Sequence, residues 1–451
     1  MDSNDFYILS YNLNDTIYHI PSSRIINLKK GSNIDSFFRQ LVLNETLLAT
    51  DDFLKLEKLI KNEFDFLNNK DVVEQNLDEI NLQSIILPIS GHCNLRCSYC
   101  FAQNKGDFGF GDINIQKAKE IIDYTFKNNN SKSDCSINFF GGEPLLNIRT
   151  IEETVRYIRE NYSERKVSFG ITTNGTILNK KILTLIKENN IRVLLSYDGP
   201  LELGSHRTYI NGKHTSSKVI KNIEILKAEN VKFQLRATIP SDCNNMKDIY
   251  EYFESLNIPF AAVLAYKSRN TDDSCKYDGK LDFFEDQYKN LLNFYISRIE
   301  NKLPINCYSI KNDIWLLKRH EKRNYSCAGG VNLFAITDNG NIFSCEHLAF
   351  HEKYKIGNIS SGIDKEKLSS MQPLNVDKII GCKKCWVRHL CAGGCFSEKI
   401  LIGRYTKTLS DDECKLKRFY WHFILNLYVM AKSVEHGLSD DGRPKNQSAI
   451  L

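Results

Sequence analysis

The sequence has no run approaching the ~18 consecutive apolar residues needed to cross a bilayer. Its first five residues, Met1 to Asp5, are acidic where a secretory signal would be basic and then apolar. A basic cluster is also missing: lysine plus arginine number 60 against 55 aspartate plus glutamate, scattered along the chain, for a formal net charge of +5. That distribution leaves no electrostatic footprint for nucleic acid or for a membrane surface. There is no internal repeat, and 42% hydrophobic residues exclude a disordered chain. A cytoplasmic protein that binds neither nucleic acid nor membrane is expected. Its 451 residues suffice for two or three domains and a large core. Cysteine is what the sequence has in excess. Fourteen cysteines are far more than a reducing compartment needs, and a chain of this length has no need of disulfide staples, so metal ligation or redox chemistry is the default explanation.

Hydrophobic periodicity divides the chain. Residues 1–80 alternate short apolar runs with helical-period stretches at 36–48 and 53–66, a small β-then-α module. From 81 to 305 strand patterns (82–90, 136–140, 166–173, 192–197, 231–239 and 260–266) alternate with helical ones such as 115–126, 151–160, 180–188 and 283–299. Six β-α units in series predict an α/β fold with a parallel sheet, closed or partly closed into a barrel, and function at the C-terminal ends of its strands. Residues 306–418 are rich in Cys and Gly with few periodic runs, so metal clusters rather than a hydrophobic core are expected to hold them together. A last helix at 419–434 and a polar tail complete a fourth segment, 419–451.

After the first barrel strand the chain reads Gly91-His92-Cys93-Asn94-Leu95-Arg96-Cys97-Ser98-Tyr99-Cys100-Phe101-Ala102. Three thiolates spaced C-x3-C-x2-C in one loop can hold three irons of a 4Fe-4S cube and leave the fourth open to a substrate or cofactor. A zinc knuckle completed by His92 is the alternative. The motif resembles that of radical S-adenosylmethionine (SAM) enzymes, whose signatures continue in order along the barrel. The resemblance implies that SAM chelates the open iron and that one electron from the cluster yields a 5′-deoxyadenosyl radical. Phe139-Phe140-Gly141-Gly142-Glu143-Pro144 resembles the family's contact with the SAM amino group, with Gly141 and Gly142 allowing close backbone approach and Glu143 suited to an ammonium. Ser196, at the head of Ser196-Tyr197-Asp198-Gly199-Pro200, and Arg207 resemble the pair that receives the SAM carboxylate. A surface charge is the plainer reading of Arg207. Tyr99 resembles the residue whose backbone faces the adenine; Leu264 packs on the ring or is simply core.

The C-terminal part reads Cys327-x12-Gly340-x4-Cys345, then Cys382-x2-Cys385-x5-Cys391-x3-Cys395, then Cys414. These spacings resemble the SPASM domain of peptide and protein maturases; a zinc ribbon of Cys382, Cys385, Cys391 and Cys395 is the alternative. The resemblance implies a distal cluster on Cys382, Cys385, Cys391 and Cys414, and a proximal one on Cys327, Cys345 and Cys395. Three 4Fe-4S clusters offer twelve irons to ten cysteines, so one proximal iron, like the SAM site, lacks a cysteine. Cys307 is the candidate to close it. Cys135 is read as a small buried hydrophobe; Cys243, Cys275 and Cys307 lie in loop-like segments, and an inert role is open to each of them.

Taken together, the chain resembles a radical SAM enzyme with a SPASM domain, and within that group the thioether-forming maturases of the six-Cys-in-forty-five and ranthipeptide type. The fold so implied is a partial (β/α)6 barrel between a winged-helix-like peptide-recognition module and the iron-sulfur domain. The substrate would be a ribosomally made precursor peptide, with a leader and a Cys-containing core, and the reductant a flavodoxin or ferredoxin. A simple cap on the barrel is the other reading of residues 1–80. Glu346, directly after Cys345, stands where an anaerobic sulfatase maturase carries its base, which keeps formylglycine formation as an alternative beside carbon–carbon crosslinking; a solvated turn residue is its plain reading.

Overall fold

The computed structural model describes residues 6–11, 14–20, 23–27, 80–101, 110–130, 134–243, 245–265, 279–401, 403 and 411–433. The helices expected at 36–48 and 53–66, Cys275 and the polar tail lie outside these residues.

Six strands form the centre: β4 (Ser84–Ser90), β5 (Cys135–Gly141), β6 (Val167–Thr173), β7 (Arg192–Ser196), β8 (Phe233–Ile239) and β9 (Phe260–Leu264). They pair in sequence order, every neighbour parallel. Between them run α1 (Ile115–Lys127), α2 (Ile148–Asn161), α3 (Lys180–Glu188), α4 (Ser216–Ala228) and α5 (Met246–Ser255). Each helix buries one stripe at i, i+3, i+4 spacing, such as Ala118, Ile121 and Ile122 of α1 or Val219, Ile223 and Leu226 of α4. Asparagine side chains cap three of them, Asn114, Asn179 and Asn245 accepting from Lys117 N, Ile182 N and Lys247 N. Alternate strand residues, Ile85, Leu87 and Ile89 or Ile137 and Phe139, lie fully buried. Within the barrel, strand and helix bounds depart from the expected ones by a few residues at most.

The barrel does not close. The free edge of β4 is taken by β10 (Leu333–Ile336), which pairs with it in parallel and continues through β11 (Asn341–Phe343), β12 (Gly357–Asn358) and β13 (Gly362–Ile363) as one ten-stranded sheet. This corrects the expectation that clusters alone hold the C-terminal part. Phe334, Ile336, Ile342 and Ile356 join the barrel core, and Ala335, Phe343 and Leu348 form a second apolar cluster with Ile86. The strands that do this, β10 and β11, are four and three residues long, too short to register as periodicity.

α6 (Leu281–Glu300) and α7 (Tyr308–Lys318) pack beneath α8 (Asp411–Ser433), with Tyr288 and Tyr295 ring centroids 6.0 and 6.1 Å from that of Phe423. α8 starts eight residues before the expected helix, with Asp412 and Glu413 near its start, where acidic side chains favour a helix N-terminus. Cys414 therefore sits on a helix. At the other end of the chain, β1 (Phe6–Tyr11), β2 (Asn14–His19) and β3 (Arg24–Asn27) form an antiparallel sheet in the order 1-2-3. Tyr7 stacks on Trp386 at 3.7 Å and 5°, and its hydroxyl lies 2.9 Å from His422 Nδ1. The sheet is thereby fastened to the cysteine-rich part.

Candidate active site

The loop after β4 is held against the end of β5. Gly142 N donates to Ser90 O and Glu143 N to His92 O, both at 2.8 Å. Only glycine permits this approach: a Cβ on Gly142 would stand 2.2 Å from His92 O, and one on Gly141, at φ +126°, 2.4 Å from Ser90 O. Glu143, fully buried, accepts from Leu145 N (3.1 Å), Thr173 Oγ1 (2.7 Å) and Asn174 N (2.7 Å). Burial nevertheless outweighs these donors and raises its pKa to about 7. The folded state thus favours the neutral acid, so stability present below the usual glutamate pKa of ~4.3 is lost as pH rises through about 7. Chemical denaturation of the metal-free protein at pH 5 and pH 8 is expected to show this fall, and Glu143→Gln to flatten it; an unaltered difference in the variant would refute the assignment to Glu143.

Within the loop, Leu95 N donates to Cys93 Sγ (3.4 Å) and Cys100 N to Cys97 O (3.1 Å). The segment carrying Arg207 straps the loop from outside: Arg96 N donates to Thr208 O at 2.8 Å, and Leu95 bridges Tyr209. Arg207 is buried, not a surface charge; its Nε pairs with Asp198 Oδ1 at 3.0 Å and its guanidinium lies 5.5 Å over the Tyr99 ring. The Tyr99 hydroxyl donates to Asp198 Oδ2, and Thr238 N donates to Asp198 Oδ1 at 3.0 Å. Asp198 therefore ties Tyr99, Arg207 and β8 together, a role that sequence reasoning missed. Its partners lie 99, 9 and 40 residues away, and the segment Ser196-Tyr197-Asp198-Gly199-Pro200 does not by itself say what Asp198 pairs with. Ser196 stands half-buried at the end of β7, and Leu264 half-buried at the end of β9 against the core.

The other cysteines fall into two groups. Behind the larger effect of burial, Cys395 raises the pKa of Cys327, and both Cys395 and Cys327 raise that of Cys345, whose thiol donates to Glu346 Oε2 at 3.4 Å. Cys382, Cys385, Cys391 and Cys414 form the other set, with Cys414 feeling all three partners. Cys307 joins neither. It is fully buried, 3.2 Å from Ser309 Oγ, among Glu254, Tyr250, Tyr295 and Tyr420. Cys135 and Cys243 are buried as well. Phe101, next to Cys100, packs on His347 with ring centroids 4.1 Å apart, joining the first loop to the Cys345 segment. His347 is a second residue the sequence reading passed over.

The donor sets suit iron-sulfur clusters. Burial, as the largest cause, pushes Cys93 and Cys382 up to about 11 and Cys327 and Cys414 up to about 12, so these thiols would stay protonated unless a bound metal ion replaced the proton. Among the described residues no three His, Cys, Asp or Glu side chains converge on a single metal ion. Cysteines that each bind a different iron of a cube do not need to converge.

The sequence profile of the radical SAM superfamily matches residues 87–252, the span from β4 to α5. A protein of Methanocaldococcus jannaschii without an assigned activity is 30% identical over 269 residues, 59% of this chain and 86% of that one. The cysteine-type anaerobic sulfatase-maturating enzyme of Clostridium perfringens is 28% identical over 334 residues, 70% and 88% of the two chains. Among solved structures, anSMEcpe with bound AdoMet superposes with a TM-score of 0.67 at 23% identity, over 78% of this chain and 100% of that one. Streptococcus suis SuiB bound to the precursor peptide SuiA superposes with 0.52 at 16%, over 91% and 98%. This chain belongs to the radical SAM superfamily, and it is an enzyme. Membership implies SAM and one 4Fe-4S cluster. No described helix is long and apolar enough to cross a membrane.

Proposed function

We propose that the enzyme matures a ribosomally made precursor peptide by joining a cysteine sulfur to a carbon, forming a thioether. The observation that carries this reading is the trio of Cys327, Cys345 and Cys395 without a fourth cysteine among the described residues, beside Glu346. Cys307, the candidate fourth ligand, points into the core instead. Two auxiliary clusters complete the proposal: a distal one on Cys382, Cys385, Cys391 and Cys414, and a proximal one on the trio, whose open iron is a place for the substrate thiolate.

Forming the thioether removes a C–H and an S–H hydrogen, a two-electron oxidation overall. SAM bound at the first cluster supplies the 5′-deoxyadenosyl group that takes the carbon's hydrogen atom. Glu346 would take the thiol proton, and the iron-sulfur clusters, held by their cysteines, would supply an acceptor for the remaining electron. Tyr99, Glu143, Ser196, Arg207 and Leu264 orient SAM: Glu143 for the ammonium, Ser196 and the guanidinium of Arg207 for the carboxylate, Tyr99 and Leu264 for the adenine. The sheet β1–β3 would take the leader as an added strand, since among the described residues β1 and β3 each pair on one side only. A flavodoxin or ferredoxin would be the reductant.

Formylglycine formation on a sulfatase-like protein is the second reading, favoured by Glu346 after Cys345 and by the 28% identity to a sulfatase-maturating enzyme. Mass spectrometry of a Cys-containing precursor after anaerobic incubation with SAM and reductant separates the two. Loss of two hydrogens per crosslink with sulfur retained is expected. Replacement of the thiol by an aldehyde would establish the second reading, and equal turnover of a leaderless peptide would remove the role given to β1–β3.

A further inference from the structure

The chain end after β6, Asn174-Gly175-Thr176, forms a closed hydrogen-bonded ring with the first cysteine loop. Thr176 N, which can only donate, lies 3.0 Å from one terminal atom of the Asn174 side chain, so that atom is the oxygen, Oδ1. Thr176 Oγ1 also donates to it at 2.6 Å. The other terminal atom is therefore the amide nitrogen, Nδ2. It reaches Asn94 Oδ1 at 2.9 Å and Cys93 Sγ at 3.9 Å, the long end of a contact to sulfur. Asn94 Nδ2 closes the ring by donating to Thr176 Oγ1 at 2.9 Å. Every donor and acceptor agrees with a single orientation, and Asn174 and Thr176 are 7% and 5% exposed. In so dry a site the amide cannot turn to water, and its N–H groups stay aimed at the loop.

We propose that Asn174 tunes the reduction potential of the cluster held by Cys93, through an N–H···S bond that the Asn94–Thr176 ring keeps in place. An N–H donated to a ligand sulfur draws electron density from the thiolate and stabilises the reduced, more negative state, so it raises the potential. The ring is a positioning device: Asn174 touches a ligand atom, and Asn94 and Thr176 act through it. The inference rests on Cys93, Cys97 and Cys100 holding the SAM-binding cluster.

The test is an EPR-monitored redox titration of the reconstituted full-length enzyme, reading the signal that changes when SAM is added and so belongs to the open-iron cluster. Asn174→Ala is expected to keep its iron and move the midpoint to more negative values. Asn174→Asp should move it further, because an acceptor then faces the sulfur. Thr176→Val should shift it the same way by less, and Thr176→Ser, which keeps the hydroxyl, should restore it. An unshifted midpoint in Asn174→Ala with iron intact would overturn the proposal. So would loss of that cluster's iron in Asn174→Ala, since Asn174 would then be a structural prop. A SAM-insensitive signal in the unsubstituted enzyme would instead refute the cluster assignment itself, and the tuning role with it.

Discussion

Replacing Cys93, Cys97 and Cys100 together by alanine is expected to abolish 5′-deoxyadenosine production and to remove about one third of the bound iron, since each of the three proposed clusters has its own ligands. The structure holds the two sets of cysteines on separate frames. The first loop is tied to β5 and to the Arg207 strap, whereas the distal four cysteines are gathered by a different frame, the Cys382–Cys391 turn and α8. Losing thiols from the loop leaves that frame, and the β10–β11 hairpin before Cys345, in place. Iron analysis with a SAM-cleavage assay measures both effects at once. Continued 5′-deoxyadenosine formation would refute the assignment; loss of all iron would show the clusters to depend on one another.

Gly142→Ala is expected to be nearly as severe by another route. The added methyl would stand 2.2 Å from His92 O and 2.6 Å from His92 C, both backbone atoms that cannot swing aside as a side-chain tip would. Relief requires the loop and the end of β5 to part, breaking the bonds from Gly142 N to Ser90 O and from Glu143 N to His92 O. Overpacking and two lost hydrogen bonds together cost about 3 kcal/mol or more. The damage falls where Cys93 begins the cluster loop. Chemical denaturation should show the loss, and iron at the first site should fall before iron elsewhere. A variant within about 0.5 kcal/mol of the unsubstituted protein would mean that the backbone at Gly142 relaxes freely.

The sequence was most informative where one residue type carries its chemistry locally. The triplet Cys93, Cys97 and Cys100 needs no tertiary information to be read as an open three-thiolate loop, because three ligands within eight residues are close in any fold. The barrel strands were legible for the same kind of reason: buried parallel strands are continuous apolar runs between amphipathic helices, and both patterns lie within a single window. Arg207 shows where local reading ends. Its burial follows from Asp198, Tyr99 and the strap through Thr208, none of which constrains it along the chain.

By itself, then, the sequence determined the element order of the barrel and the close approach that Gly141 and Gly142 allow, since each depends on spacing or backbone freedom within a few residues. Only the tertiary structure decided what occupies β4's free edge, because the strand that pairs there comes from residue 333 onward, far along the chain from β4. The same holds for the gathering of Cys327 with Cys395, for the placing of Cys307 in the core, and for the ring of Asn94, Asn174 and Thr176 beside Cys93. These depend on directions of side chains that lie tens of residues apart, and such directions exist only once the sheet has brought the strand ends together.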